Sequence, residues 1–177
     1  MATTNDASTK VVTGKVRMSY AWLNKSRTND RGEEKFSVTV LLPKSDKDTY
    51  ARLKAAEKAA AVKKFPGKDA GFIAALPSTI YDGNGRRKSG DLFGPECKDC
   101  WVFTASSSDR PGCVDENLQP LMEPIKSGDY GRVSLNAYGF DTAGNRGVTF
   151  GLQNVQLLER GESLSGRTDA ATDFAAF

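Results

Sequence analysis

The sequence predicts a mostly β protein, a single small antiparallel barrel with one inserted or flanking α-helix. Two segments of alternating apolar and polar residues precede one helical segment, and from residue 79 onward the chain consists of further such segments separated by turn residues. Long connections between the segments fit a small barrel better than a sandwich or a parallel sheet. With no internal repeat and no change in composition, the 177 residues predict a disordered lead-in at 1–9, one domain at 10–160 and a flexible, acidic and aromatic tail at 161–177.

The first two predicted strands each have one apolar face. In "KVVTGKVRMSYAWL" the alternation places four residues on that face: Val16, Met18, Tyr20 and Trp22. Lys15 and Arg17 lie on the opposite, basic face. The second strand is "KFSVTVLLP", with Lys35 on its polar face and Pro43 at its end. The charged segment "NKSRTNDRGEE" between the two strands predicts an exposed connection.

A helix is predicted over "DKDTYARLKAAEKAAAVKKF", which is rich in strong helix formers. Ser45 and Asp48 have the spacing of a capping box at its start, and Pro66-Gly67 ends it. Because its apolar stripe is thin, the helix is expected to lie on a surface and to close one end of the sheet structure. The next segment, "KDAGFIAALP", is expected to add a short turn.

The rest of the chain predicts strands and turns. "TIYDGNGRRKSGDLF" carries two turn dipeptides between short apolar runs and predicts a hairpin with a basic tip. "DCWVFTASSS" predicts a strand, and "RPGCVDENLQPLMEP" predicts a loop. The alternation in "RVSLNAYGFDTAGNRGVTFGLQNVQLL" predicts a closing hairpin with Val133, Leu135 and Ala137 on its core face.

The charges are unevenly distributed. Residues 10–90 carry 18 Lys and Arg against 8 Asp and Glu, whereas residues 91–177 carry 7 against 13. A basic half is typical of a protein that binds a polyanion, although residues 44–68, a solvated helical face in the alternative interpretation, supply 8 of its positive charges. No apolar run approaches the roughly 20 residues of a membrane span, and the N-terminus lacks a signal-peptide pattern. A cytosolic protein without a membrane partner is therefore expected.

Catalytic and metal sites are not predicted. The chain has no histidine, which excludes Ser-His and Cys-His nucleophile pairs and every metal site that contains histidine. Cys97, Cys100 and Cys113 are three thiols where a structural zinc site needs four ligands, so packing or incidental thiols are favoured. The carboxylate pair Asp115-Glu116 is explained by a turn. The sequence thus predicts no enzyme, no cofactor and no metal.

Two features favour nucleic-acid binding. Arg86, Arg87 and Lys88 lie between glycines without the order of a phosphate-binding loop, and they predict a mobile basic finger along a sugar–phosphate backbone or, alternatively, a solvated hairpin tip. Tyr138 and Phe140 share the polar side of their strand with Arg132. Aromatic rings beside cations on an exposed sheet are typical of base stacking, whereas a bend at Gly139 would carry both rings inward. Phe36 and Phe150 are assigned to the core.

Three stretches carry a resemblance to a known family: "KFSVTVLLPKSDKDTYARLKAA", "DCWVFTASSSDRPGCVD" and "RVSLNAYGFDTAGNRGVTFGLQNVQLLERGESLSGR". The chain resembles, over residues 10–167, the bacteriophage single-stranded-DNA-binding proteins of a small family first described as a domain of unknown function. The resemblance implies an OB-fold, sequence-independent binding of single-stranded DNA, and a role in phage replication or recombination in the cytoplasm of the infected bacterium. A short acidic C-terminus that ends in Phe is similar to the tails of other such proteins.

The candidate DNA-binding residues follow from strand faces and charge. They are Lys15, Arg17, Trp22, Lys35, Tyr81, Arg86, Arg87, Lys88, Arg132, Tyr138 and Phe140. The candidate partner-binding residues of the tail are Asp169, Asp173, Phe174 and Phe177. Single-stranded RNA stays open as a ligand because stacking needs no deoxyribose, and replication proteins are candidate partners of the tail. The oligomeric state, a dimer included, is left open. The alternatives are a β-rich phage assembly protein that binds no nucleic acid and a metal-dependent nuclease.

Overall fold

The structure, a computed structural model, describes residues 9–164 and 174–175. The predicted mostly β architecture is confirmed, with eight strands in one sheet and a long helix between the third and fourth of them. The strands are β1 Lys10–Val12, β2 Val16–Thr28, β3 Glu34–Pro43, β4 Tyr81–Asp82, β5 Cys100–Ser107, β6 Gly112–Val114, β7 Tyr130–Thr142 and β8 Asn145–Glu159. The helices are α1 Lys47–Lys64 and α2 Ala70–Ala75.

Five strands pair in a ring, in the order β7, β2, β3, β5, β8 and back to β7. This order fits the Greek-key arrangement of the predicted OB-fold, a partly open five-stranded barrel. Two of the pairings are short: β2 joins β7 at Val16 and Arg17, and β5 joins β8 at Ala105 and Ser106. The β5–β8 and β6–β8 pairings are parallel, so the predicted antiparallel barrel is antiparallel except where β8 pairs with β5 and β6.

The core fills the barrel with the inward residues of these strands. Phe103 and Phe150 meet at its centre with ring centroids 5.2 Å apart, and both are fully buried. Burying such a side chain contributes roughly 1.5–3 kcal/mol. The predicted core face of the closing hairpin is confirmed, since Val133, Leu135 and Ala137 are buried.

Helix α1 covers one end of the barrel. Its buried residues are Thr49, Leu53, Ala56, Glu57, Ala60 and Ala61. Small residues bring the helix close to β7, where a Cβ on Gly139 would collide with the Lys64 side chain. The alternative of a bend at Gly139 that turns the rings inward does not hold for Tyr138, which stays exposed, while Gly139 is the contact point for α1.

Several predicted details differ. The capping residue of α1 is Asp46 and not Ser45, because the Asp46 carboxylate accepts hydrogen bonds from the Thr49 amide at 3.0 Å and its hydroxyl at 2.6 Å. The expected short turn after α1 is a second helix, α2, capped by Asp69. The predicted loop at 110–124 contains the short strand β6.

The strand β2 differs most from its predicted pattern. Ser19 pairs with Thr39 and Trp22 with Ser37, so β2 carries one extra residue there, a β-bulge. Tyr20 adopts a positive φ of 46° at this point. The bulge shifts the alternation by one residue, so that Leu23 faces the core while Tyr20 and Trp22 leave it. The predicted core-facing position of Tyr20 is therefore wrong.

The ends of the domain are also informative. Thr9 is buried, and its carbonyl accepts a hydrogen bond from the Ala137 amide at 2.8 Å. Phe36, assigned to the core, is only half-buried, with the Arg110 guanidinium 5.6 Å from its ring centre. Among the described residues, neither helix is long and apolar enough to span a membrane.

Candidate nucleic-acid interface

One outer face of the barrel carries exposed aromatic rings around hydroxyl side chains. Across β3 and β5, Thr39 pairs with Thr104, and their hydroxyl oxygens are 3.2 Å apart. Both threonines and Thr149 of β8 line a cavity of about 340 Å³. The rings at its edge are Tyr20, Tyr81 and Phe93, and its cations are Arg87 and Lys88. We call these five residues with the three threonines the tyrosine face.

The tyrosine face depends on the loop between β4 and β5. Glycine is needed at position 83 of this loop because a Cβ there would collide with the Cys97 carbonyl. The Gly83 amide donates a hydrogen bond to the Cys100 carbonyl at 2.8 Å. Further on, the Arg87 amide donates to the Asp91 carbonyl at 2.7 Å and closes a tight turn. The predicted basic hairpin tip is thus present as a folded turn. The turn places the Arg87 guanidinium 4.8 Å from the centre of the Phe93 ring.

The three tyrosines are accessible to a ligand. Tyr20 is 55% exposed, Tyr138 45% and Tyr81 37%. Tyr81 lies beside Phe93, with ring centroids 6.4 Å apart. Tyr138 adjoins the tyrosine face because it pairs directly with Thr149. Burial, and after it the negative charge of Glu33, raises the pKa of the Tyr138 hydroxyl, so this ring is neutral at physiological pH.

Tyr138 and Phe140 are each supported from below by a glycine of β8. A Cβ on Gly151 would lie 3.5 Å from the Tyr138 ring, and one on Gly147 would lie 3.0 Å from the Phe140 ring. Glycine at these positions lets each ring lie across the neighbouring strand. The arrangement fixes the rings while leaving part of each one exposed. Phe140 is further from the tyrosine face than Tyr138 and is only half exposed.

A second cavity of about 280 Å³ lies on the other side of Tyr20. Its lining residues are Ser19, Tyr20, Ala21, Trp22, Glu96, Ser127 and Leu164. The Arg27 guanidinium lies 5.8 Å from the centre of the Trp22 ring. Tyr20 thus separates two concave sites, each with aromatic rings and a nearby cation.

Several predicted cations are engaged within the protein. Arg17 donates from Nε to the Gly128 carbonyl at 3.1 Å and from Nη2 to the Glu162 carbonyl at 2.9 Å. Lys15 forms an ion pair of 2.6 Å with Glu159, and Arg132 donates to the Thr13 carbonyl at 2.8 Å. These three lie near the start of β7, away from the tyrosine face.

Two further predicted cations also contact their own chain. The Lys35 ammonium donates to the Ser108 hydroxyl at 2.8 Å, near the turn of the β2–β3 hairpin. Arg86 donates to the Gly90 carbonyl at 2.9 Å within the basic turn. The structure therefore brings together Tyr81, Arg87 and Lys88, with Trp22 and Tyr138 adjoining them, and leaves the other predicted residues apart.

Two residues of the tyrosine face were missed by the sequence reasoning. Tyr20 was assigned to the apolar side because strict alternation hides a bulge. Phe93 ends the segment "RRKSGDLF", a few residues after the basic triplet. This short separation was the signal in the sequence, because a tight turn brings the chain back and places Phe93 beside Arg87. Tyr20 was thus placed on the wrong face of its strand, and Phe93 was assigned to no face.

The cysteines and the tail complete the predicted residues. Burial raises the pKa of the Cys97, Cys100 and Cys113 thiols, and no group of metal-ligating side chains occurs within the described part of the chain. In the tail, Phe174 is exposed. Asp169, Asp173 and Phe177 lie outside the described residues.

The chain is similar to known phage proteins. A family model described as the ssDNA-binding protein of Enterobacter phage Enc34 matches residues 9–177. The protein p50 of the Acyrthosiphon pisum secondary endosymbiont phage 1 is 27% identical over 166 residues, which cover 89% of this chain and 87% of that one.

Solved structures share the fold. The single-stranded DNA-binding protein from bacteriophage Enc34 has a TM-score of 0.66 at 25% identity, with 97% of this chain and 92% of that chain covered. The same phage protein in complex with ssDNA gives a TM-score of 0.70 at 24% identity, with 90% and 91% covered. The gp2.5 protein, a single-stranded DNA binding protein encoded by bacteriophage T7, gives 0.56 at 14% identity, with 90% and 97% covered.

Proposed function

The chain belongs to the family of the Enterobacter phage Enc34 ssDNA-binding protein, and on this premise we propose that it binds single-stranded DNA across the tyrosine face, without reading a defined sequence. The observation that carries the site is the exposure of Tyr20, Tyr81 and Tyr138 around a cavity that Arg87 and Lys88 border. Exposed rings beside cations are what unpaired bases and their phosphates require.

Base stacking is assigned to four rings in this proposal: Tyr20, Tyr81, Phe93 and Tyr138. Stacking on an aromatic ring contributes about 1–3 kcal/mol per base and tolerates every base, because each has a ring face. Duplex DNA keeps its bases stacked on one another, so it offers no free ring face to these side chains. The proposed site therefore selects single strands over duplexes.

Phosphate binding is assigned to Arg87, Lys88 and Arg27. Within the described residues none of these three forms an ion pair, so their charges are available to a ligand. Lys15, Arg17 and Arg132 are instead proposed to hold the barrel near the start of β7 through their bonds to Glu159, Gly128, Glu162 and Thr13.

The test is fluorescence anisotropy with a labelled oligo-dT and a duplex of the same length as competitor. We expect Tyr20→Ala, Tyr81→Ala and Tyr138→Ala each to weaken binding by about 1–3 kcal/mol. Met122→Ala is the matched control, since this residue is 98% exposed but lies outside the site. Unchanged affinity in all three tyrosine variants, with folding intact, would remove the stacking site from this face.

The proposal includes no catalytic step. The protein would coat single strands during phage replication or recombination in the cytoplasm of the infected bacterium, and its C-terminal residues, Asp169 to Phe177, would meet replication proteins. Incubation of single-stranded DNA with the protein and Mg²⁺ is expected to leave the DNA intact. Deletion of residues 168–177 is expected to preserve DNA binding and to abolish capture of a replication partner.

A further inference from the structure

The cavity between Tyr20 and Trp22 differs from the tyrosine face because a carboxylate lines it. Glu96 lies in the short helical turn Pro95–Cys97 and is half-buried. The neighbouring Cys97 is buried against Leu41 and Val102, which anchors the turn on the outer side of the barrel. Glu96 is therefore carried by an anchored turn in the wall of this cavity.

The position of Glu96 is unusual for a surface that binds a polyanion. Its carboxylate folds over Gly94, where a Cβ would collide with it. No described residue forms a hydrogen bond or an ion pair with this carboxylate, although Lys98 is only two residues away. Its acceptor oxygens are therefore left for a ligand or for water.

The chemistry of the carboxylate decides which part of a nucleotide enters. A carboxylate repels phosphate, and because it only accepts hydrogen bonds it needs a donor. Cytosine, adenine and guanine each carry an exocyclic amino group, and Glu or Asp accepting from the cytosine N4 amino group is a known base contact. Thymine has no amino group, and its single ring N–H lies between two carbonyl oxygens that repel a carboxylate.

The size and walls of the cavity fit a base. Its volume of about 280 Å³ is close to the lower limit for small-ligand sites, which begin near 300 Å³. Tyr20 and Trp22 supply aromatic walls, while the Arg27 guanidinium near Trp22 is placed to hold the adjoining phosphate.

We propose that this cavity receives one base of the bound strand and that Glu96 makes the protein prefer a base with an exocyclic amino group over thymine at that position. This inference rests on the proposed function, since it needs the strand to pass Tyr20. Binding is then independent of the base at most positions of the strand, and a preference among bases exists at one position.

The experiment compares labelled oligo-dC and oligo-dT of equal length, using the full chain, Glu96→Gln and the control Glu116→Gln. Glu116 is an exposed glutamate in the loop between β6 and β7 and lines neither cavity. We expect the unaltered protein to bind oligo-dC about 5-fold more tightly than oligo-dT, the lower end for a base contact of this kind. Glu96→Gln, whose amide also donates to thymine carbonyls, should reduce the ratio below about 2-fold.

Three outcomes separate the explanations. Loss of the ratio in Glu96→Gln and its retention in Glu116→Gln would support the inference. Equal affinities for the two oligonucleotides, or equal tightening of both in Glu96→Gln, would overturn it, because the carboxylate would then only repel phosphate. Failure of the unaltered protein to bind either oligonucleotide would instead overturn the proposed function.

Discussion

Asp129 joins two segments of the chain beside the second cavity. Its side chain is almost completely buried and pairs with Arg160 at 2.9 Å. It also accepts hydrogen bonds from the backbone amides of Lys126 at 2.9 Å and Gly161 at 3.1 Å. Through these bonds residues 160 and 161 are held against the loop before β7. One buried carboxylate thus determines where a wall of the candidate site lies.

Asp129→Ala is expected to lower the free energy of unfolding by about 3 kcal/mol, because it leaves the Lys126 and Gly161 amides without their acceptor and removes the carboxylate partner of Arg160. Urea unfolding measures the change. Asp30→Ala, at an exposed position in the β2–β3 loop, is the matched control and should change stability by less than about 0.5 kcal/mol. Equal effects of the two substitutions would contradict the role of Asp129 as an anchor.

Asp46 gives the protein a pH-dependent helix cap. Burial by itself would raise the pKa of Asp46, but hydrogen bonds from the Thr49 hydroxyl and amide, helped by the charge of Arg52, outweigh it and hold the pKa below its ordinary value. Because the pKa of Asp46 is lower in the folded state than in the unfolded state, the ionised cap stabilises the fold at pH values above the unfolded-state pKa. The stabilisation is lost as the pH falls through the lower, folded-state pKa.

Asp46→Ala should therefore cost about 1 kcal/mol at pH 6, the usual value of a helix N-cap. The difference from the unaltered protein should shrink as the pH falls below about 3.9, the ordinary aspartate pKa. Urea unfolding at pH 6 and pH 3 measures it. Asp48→Ala is the control, since Asp48 only pairs with Arg52 on the exposed helix surface. A loss that stays constant between the two pH values would argue against the cap.

At the scale of elements, the turn of the β7–β8 hairpin has a backbone conformation that suits only one of its two residues. Thr142 pairs with Asn145, so Ala143 and Gly144 form a two-residue connection. Both have positive φ, 49° and 85°. A two-residue turn of this kind matches the twist of the strands, and its first position favours Asn or Gly because Ala pays a steric penalty there.

Ala143→Asn is expected to raise the free energy of unfolding by about 0.5–1 kcal/mol, since asparagine tolerates the left-handed conformation better than alanine does. Gly144→Ala, at the neighbouring position, should lower it by a similar amount. Thermal or urea unfolding of both variants checks the pair. A stabilising Gly144→Ala would show that the turn adopts another conformation.

The elements also explain why the rings lie where they do. The bulge in β2 changes which side of the strand Tyr20 occupies, and the glycines of β8 make room for Tyr138 and Phe140. Neither device alters the core, because Val16, Met18 and Leu23 stay buried on both sides of the bulge. Local irregularities therefore build the candidate site on a regular barrel.

At the scale of the whole molecule, charge determines how binding responds to salt. The basic charges of residues 10–90 are spread over α1, the β2–β3 hairpin and the turn at Arg87 and Lys88. In the proposed site only Arg87, Lys88 and Arg27 would release counterions when DNA binds. The total charge therefore overstates the number of phosphate contacts.

The affinity for oligo-dT should fall with salt by about 0.7 log units per phosphate contact for each log unit of salt. Arg87→Ala and Lys88→Ala should each reduce this slope by about 0.7, whereas Lys47→Ala, at the exposed start of α1, should not change it. Anisotropy titrations at several salt concentrations measure the slope. Equal slopes for all four proteins would place the phosphates elsewhere.

The regular elements were predictable from local sequence. Alternation located β3, β5, β7 and β8 to within about two residues, and helix formers located α1. The cap was displaced by one residue because Ser45 and Asp46 both have capping side chains, and only the contact with Thr49 decides between them. The second helix was missed because six residues give too short a pattern.

The candidate site was predictable in kind and only partly in membership. Tyr81, Arg87, Lys88 and Tyr138 follow from strand faces and a basic turn. The contacts of Arg17 could not be predicted from sequence, because the Gly128 and Glu162 carbonyls that it binds come from distant parts of the chain. Tyr20 could not be included, since a bulge depends on the partner strand β3.

The sequence by itself determined the β-rich domain, its helix and the residue types that a single strand of DNA requires, because periodicity and composition are local properties. Only the tertiary structure decided which rings and charges meet. The face of a strand on which a residue lies depends on the pairing register and on bulges. Whether a cation is free to bind a ligand depends on carbonyls and carboxylates from distant parts of the chain. Glu96 shows the difference most clearly: it is an ordinary glutamate in the sequence, and in the fold it lines a cavity together with Tyr20 and Trp22.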